Sequence, residues 1–171
     1  MPCLASLGRL EGCKDQVGGL TAVYFANFDE VTFNTPSDGE IDGIDETTPG
    51  VYKYDLRGTS TFDQTLTSDQ NNGTTFAEQT LVVSLKSQDS STHKEIKALA
   101  WGRPKILVED NNGNIFVVGH EYGTQLSATT STGAAMGDKT GYELTFTAME
   151  KELAPFYTGV IGTDFNVTVG S

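Results

Sequence analysis

The chain has 171 residues, 37% of them hydrophobic, and its 11 basic and 23 acidic side chains leave a net charge of −12. That length holds one domain. The charge excludes a nucleic-acid gripper, whose non-specific affinity comes from cations neutralising phosphates, and suits a soluble protein or a wall past which DNA slides without sticking.

Residues 1–19 form an irregular lead-in closed by Gly18-Gly19. Arg9, Glu11, Lys14 and Asp15 occupy the place where a secretion signal needs an apolar core. No run approaches the ~18 apolar residues of a membrane span. A cytoplasmic site of synthesis is therefore expected. Asn72-Gly73-Thr74 and Asn166-Val167-Thr168, although glycosylation sequons, are expected to stay unmodified. Cys3 and Cys13 are too few for a disulfide scaffold. They read as free thiols, with a bridge between them the lesser alternative, and their spacing matches no zinc pattern.

LTAVYFANF reads as a first strand, apolar on both faces and hence central. NTPSDGEIDGIDETTPG then turns acidic. Asp38, Glu40, Asp42, Asp45 and Glu46 lack the ligand order of an EF-hand, so the stretch reads as a solvated loop without metal. VYKYDLRGTSTFDQTLTSD and TTFAEQTLVVSLK, joined through Gln70-Asn71-Asn72-Gly73, read as a long hairpin. Ala77, Leu81, Val83 and Leu85 share one face of the return strand, and both strands are polar near the turn. The hairpin is therefore expected to protrude beyond the core, with Asp63, Thr65, Glu78 and Thr80 on an interface or lumen face and Lys53 and Arg57 towards the rim.

DSSTHKEIKALAWG is the single convincing helix. Asp89 or Thr92 caps it, Thr92 and Glu95 form a capping box, and Gly102 and Pro104 end it. Ile96, Leu99 and Ala100 form the expected buried stripe, and His93 reads as an exposed polar residue. In KILVEDNNGNIFVVG two β-rich runs flank a hairpin turn at Asp110-Asn111-Asn112-Gly113. GTQLSATTSTGAAMGDKTG is too rich in Gly and Thr for helix. GYELTFTAME alternates, with Tyr142, Leu144, Phe146 and Ala148 on one face and Glu143, Thr145, Thr147 and Met149 on the other. Residues 156–171 read as a C-terminal arm with a short strand over Phe165, Val167 and Val169, docking on a neighbouring subunit.

The expected fold is mainly β: one sandwich or barrel-type domain over residues 1–171, with one flanking α-helix and extended loops or arms. His120-Glu121 lacks the second histidine of a metalloprotease helix, and neither a G-x-S-x-G elbow nor a Walker loop occurs. An enzyme is not expected, and no cofactor is implied.

LAWGRPKILVEDNNGNIFVVGHEYGTQLSATTSTGAAMGDKTGYELTFTAMEKELAPF resembles the C-terminal half of structural proteins from tailed phages of Bacteroidetes and marine bacteria, through its GRP, hairpin, AMGD turn, GYELTFT strand and acidic close. The N-terminal CKDQVGGLTAVYF and GTTFAEQTL resemble the same proteins, and AMGDKTGYELTFT is the most specific piece. By size and architecture the resemblance points to a tail tube protein. It implies a β-sandwich with one flanking helix, assembled into hexameric rings that stack into a tube. Asp63, Thr65, Asn71, Asn72, Glu78, Thr80, Met136 and Asp138 are the candidate interface or lumen residues. The implied partners are further copies of the chain, other virion proteins, and double-stranded DNA that passes without specific binding, and no membrane is implied. The implied location is the virion tail, assembled in the host cytoplasm. A capsid decoration or head-completion protein is the alternative, and a carbohydrate-binding sandwich using Trp101 a third reading.

Overall fold

The computed structural model describes residues 4–5, 7–45 and 47–169. Strands β1 (Leu20–Ala26), β2 (Glu40–Ile41), β3 (Gly50–Asp55), β4 (Thr61–Asp69) and β5 (Thr74–Lys86) precede helix α1 (Ser90–Trp101). After it come β6 (Lys105–Asp110), β7 (Ile115–Val118), β8 (Gln125–Ser131), β9 (Gly141–Glu150), β10 (Phe156–Tyr157), the single turn α2 (Ile161–Asp164) and β11 (Asn166–Val169). They make two sheets: seven strands in the order β11-β3-β1-β6-β7-β10-β2, and four in the order β4-β5-β9-β8. The chain is a mainly β domain of the sandwich type with one substantial helix.

Alternation explains the four-stranded sheet. Leu81 and Val83 of β5, with Tyr142, Leu144, Phe146 and Ala148 of β9, are buried against Val23, Phe25, Ile106, Val108 and Val118 of the other sheet. The residues of the other parity face outward: Glu78, Glu143 and Met149 are exposed, and Thr80, Val82, Ser84, Thr145 and Thr147 are half-buried. β1 lies inside the seven-stranded sheet and is buried on both faces from Ala22 to Ala26, as the apolar run AVYFA requires. Its second face packs Ala22, Tyr24 and Ala26 against Val31, Phe33, Ile41, Tyr157, Ile161 and Phe165. This face is therefore covered by the segment from Val31 to Ile44 and the C-terminal tail, whose β2, β10 and β11 are strands of the same sheet.

Several expectations change here. The outgoing half of the long hairpin is two strands, not one. β3 pairs with β1, and after Leu56 the chain crosses to the other sheet and resumes as β4. Lys53 and Arg57 therefore lie off the hairpin, and Lys53 pairs with Asp55 at 3.5 Å. The acidic stretch is not merely solvated. Ile41 is fully buried, and β2 pairs in parallel with β10. The tail does not await a neighbour: β11 pairs in parallel with β3 over Asn166–Val169, and Phe165 is in the core. Cys3 and Glu46 lie outside the described residues, and Cys13 is a free, exposed thiol.

α1 begins where capping chemistry places it. Asp89 has extended backbone, and its Oδ1 accepts from Thr92 N at 2.8 Å. Thr92 N–H, together with the Ser91 and Thr92 hydroxyls, pulls the carboxyl down to about 2. Gly102 ends the helix in extended rather than left-handed backbone. The predicted stripe is shallower than expected: Ile96 and Leu99 are half-buried against the sandwich core, and Ala100 is exposed. His93 is not simply solvated, because its Nδ1 lies 2.6 Å from Tyr142 Oη and ties the first turn to β9.

Candidate functional site

The outer face of the four-stranded sheet carries the predicted lumen residues. Asp63 lies opposite Thr80, and Thr65 lies opposite Glu78, across the β4–β5 ladder. Paired residues stand on the same side of a sheet. The β5–β9 ladder extends that face with Thr80 opposite Thr147, Val82 opposite Thr145 and Ser84 opposite Glu143. β8 adds Gln125, Ser127 and Thr129. Uncharged hydroxyls dominate, and Asp63, Glu78 and Glu143 supply negative charge. The four strands contribute one cation to this face, Lys86, at its end. Lys139 reaches over the same end to the Ser84 hydroxyl.

The other predicted residues mark the two ends of this sheet. Asn71 and Asn72 sit in the β4–β5 turn, where Asp69 Oδ1 accepts from Asn71 N at 2.9 Å and Asp69 Oδ2 from Asn72 Nδ2 at 2.6 Å. β9 stops at Glu150 opposite Ala77, so the hairpin from Thr67 and Phe76 to its turn has no third strand and projects. Met136 and Asp138 lie in the β8–β9 loop at the far end. Asp138 Oδ2 accepts from Ala134 N and Ala135 N at 3.0 and 2.8 Å, and these N–H groups hold its carboxyl below the usual range.

Sequence reasoning missed the edges. β4 and β8 are the outermost strands of this sheet, and no described strand pairs with the outer side of either. Natural edges are blunted by lysines, prolines or bulges, or covered by a helix or loop. α1 packs beside β8, and Gln88 Nε2 donates to Ser131 O at the end of that strand at 2.8 Å. TFDQTLTSD and QLSATTS contain neither Lys nor Pro, and both ladders run in unbroken register. Each neighbouring pair in the sheet is antiparallel, so β4 and β8 themselves run in opposite directions. The β4 edge of one copy can therefore continue the β8 edge of another without breaking the antiparallel pattern.

A buried polar cluster closes the sandwich at the hairpin end. Gln79 is fully buried, its Oε1 accepting from Gly119 N at 3.1 Å. Its cross-strand neighbour Gln64 accepts from Ala154 N at 2.6 Å. Glu150 Oε1 accepts from Tyr122 N at 3.0 Å, while Glu150 Oε2 and His120 Nδ1 are buried without a hydrogen-bond partner. Desolvation pushes the Glu150 carboxyl up and His120 down, so each favours its neutral form. These groups fix two loops to the core.

Trp101, the candidate sugar platform, is exposed at the end of α1, with Lys97 Nζ 4.7 Å from its ring centre. No described helix is long and apolar enough to cross a membrane. No family model, curated protein or solved structure matches the chain.

Proposed function

We propose that the chain is a self-assembling structural subunit, the tail tube protein of a tailed phage, whose four-stranded sheets join edge to edge into a ring and whose rings stack into a conduit for DNA. The observation that carries this reading is the pair of edge strands, β4 and β8, whose outer sides no described strand pairs, on one sheet whose outer face is polar with uncharged hydroxyls dominant and carboxylates the main charge. Each edge presents a row of N–H and C=O groups unpaired by any described strand, a template on which another chain can pair. Different edges meeting head to tail make a heterologous contact, which closes into a ring when the rotation allows.

About six copies give roughly 24 strands, and at about 4.8 Å spacing and about 40° tilt the barrel is roughly 50 Å across. That leaves room for a duplex once side chains line the wall. With the outer face turned inward, Asp63, Thr65, Glu78 and Thr80 line the lumen, and hydroxyls and carboxylates offer phosphates no counter-charge. The seven-stranded sheet and the segments packed on its second face form the outer shell. Sedimentation velocity and negative-stain electron microscopy of the purified protein test the proposal. Rings or tubes with an axial channel are expected, whereas monomers or trimers that never polymerise would favour a capsid decoration role.

A further inference from the structure

The tripeptide Asn-Asn-Gly stands at residues 71–73 and again at 111–113, each time in a hairpin turn exposed to water. Gly73 turns with φ 64° and Gly113 with φ 85°, and a Cβ on either would meet open space. In both turns the second asparagine donates its N–H to an aspartate shortly before it. Asn72 N lies 3.4 Å from Asp69 Oδ1, and Asn112 N lies 3.0 Å from Asp110 Oδ1. The two sites match in local sequence and in backbone.

Their side chains are held differently. Asn112 is clamped at both amide atoms: Oδ1 accepts from Val17 N at 3.0 Å, and Nδ2 donates to Val17 O at 2.8 Å. Gly113 N–H is engaged as well, donating to Asp110 O at 3.3 Å. Asn72 has one tether, Nδ2 donating to Asp69 Oδ2 at 2.6 Å. Among the described residues, nothing donates to its Oδ1 and nothing accepts from Gly73 N–H.

We infer that Asn72 is a site of self-modification, converting to aspartate and isoaspartate in the folded protein without an enzyme, and that the fold protects Asn112. The glycine that follows has no Cβ to shield its nitrogen from the asparagine side chain. Gly73 N gives its proton to solvent and bonds to Asn72 Cγ, the Cγ–Nδ2 bond breaks, and Nδ2 leaves as ammonia. The five-membered imide takes up one water at either carbonyl and opens to aspartate or isoaspartate. Bringing Cγ onto the next nitrogen breaks one hydrogen bond at Asn72 and three at Asn112, so the fold separates two sites that the sequence makes alike. The product alters the turn. The hydrogens joining Nδ2 to Asp69 are lost, two carboxylates then face each other there, and isoaspartate adds a methylene to the backbone between β4 and β5. The hairpin tip is therefore an element that changes irreversibly with age, whatever the chain assembles into.

Incubating the full chain in mildly alkaline buffer, with peptide mapping by mass spectrometry at intervals, tests this. Asn72 should convert at least tenfold faster than Asn112, giving both isomeric products. In denaturant the two rates should come within a few-fold of each other, because the matched triplets then meet only solvent. Gly73→Ala, with an unchanged melting temperature as the check on folding, should slow conversion at Asn72 at least tenfold. Equal rates in the folded chain, faster conversion at Asn112, or a tenfold difference that persists in denaturant would overturn the inference. So would an Asn72 that stays intact while the denatured chain converts, or a folded Gly73→Ala chain that converts at the parent rate.

Discussion

Thr65 lies opposite Glu78 across the β4–β5 ladder, and both side chains stand on the face of the sheet that the core leaves to water. An uncharged hydroxyl beside a carboxylate gives a passing phosphate nothing to pair with. Assembled protein should therefore retain no duplex DNA at physiological salt. Thr65→Lys combined with Thr80→Lys should create retention that weakens steeply as salt rises, because each neutralised phosphate releases counterions. Filter binding across a salt series measures this. Tight DNA binding by the unaltered protein would count against a conduit.

The β4–β5 tip contributes little to folding, since its residues from Thr67 to Phe76 extend past the last ladder pair of β9. Replacing residues 68–75 by Asn-Gly keeps the Thr67–Phe76 pair and supplies a two-residue hairpin turn. Stability should change by less than about 1 kcal/mol, because two exposed strands without a third layer bury little. Polymerisation should be lost. Thermal melts and sedimentation read the two effects separately, and normal assembly would remove the tip from the contact surface.

Gly141 starts β9 with φ 155°, and a Cβ placed there would collide with the Leu85 carbonyl oxygen. Gly141→Ala should force β5 and β9 apart at the Lys86 end and destabilise the fold by at least about 2 kcal/mol. Gly137→Ala, in the adjoining loop with nothing near its Cβ, is the matched control and should be close to neutral. Chemical denaturation of both variants checks the difference.

Glu150 tests the buried polar cluster through pH. Burial raises its folded pKa, so the folded chain holds this proton where the unfolded chain has lost it. Stability should therefore fall as pH climbs from the ordinary carboxylate range through the raised value, with the loss complete above it. Glu150→Gln removes the titration and can still accept from Tyr122 N–H, so its stability profile should be flatter across that window. Unfolding midpoints measured at several pH values decide it. An unchanged slope would show that Glu150 is not the group responsible.

Local pattern made much of this fold legible. GYELTFTAME announces a half-buried strand by its period, LTAVYFA a central one by its unbroken apolar run, and Asp89 starts the helix that Ser90–Trp101 forms. What the pattern could not convey was partner identity. β3 and β4 read as one strand because Phe62 resumes the parity of Tyr54 and Leu56, although the chain changes sheets across the intervening Arg57–Ser60. β11 looked unpartnered because its partner, β3, is distant in sequence. β8 escaped notice because an edge strand with one half-buried residue, Leu126, has almost no apolar rhythm. Phe76 and Met149 stand out in the sequence as large apolar residues on the polar parity of their strands, and both are exposed in the structure. For the predicted interface residues, sequence placed Asp63, Thr65, Glu78 and Thr80 on one face, but not the open edges beside them.

The central claim is that β4 of one copy continues the sheet from β8 of the next. Cryo-electron microscopy of the concentrated protein, at a resolution that separates strands, tests it most directly. The account predicts a closed ring of antiparallel strands repeating β4-β5-β9-β8, stacked into a tube, with Thr65 and Glu78 facing the channel. Assemblies in which β4 and β8 stay unpaired, or in which the four-stranded sheet faces outward, would contradict it.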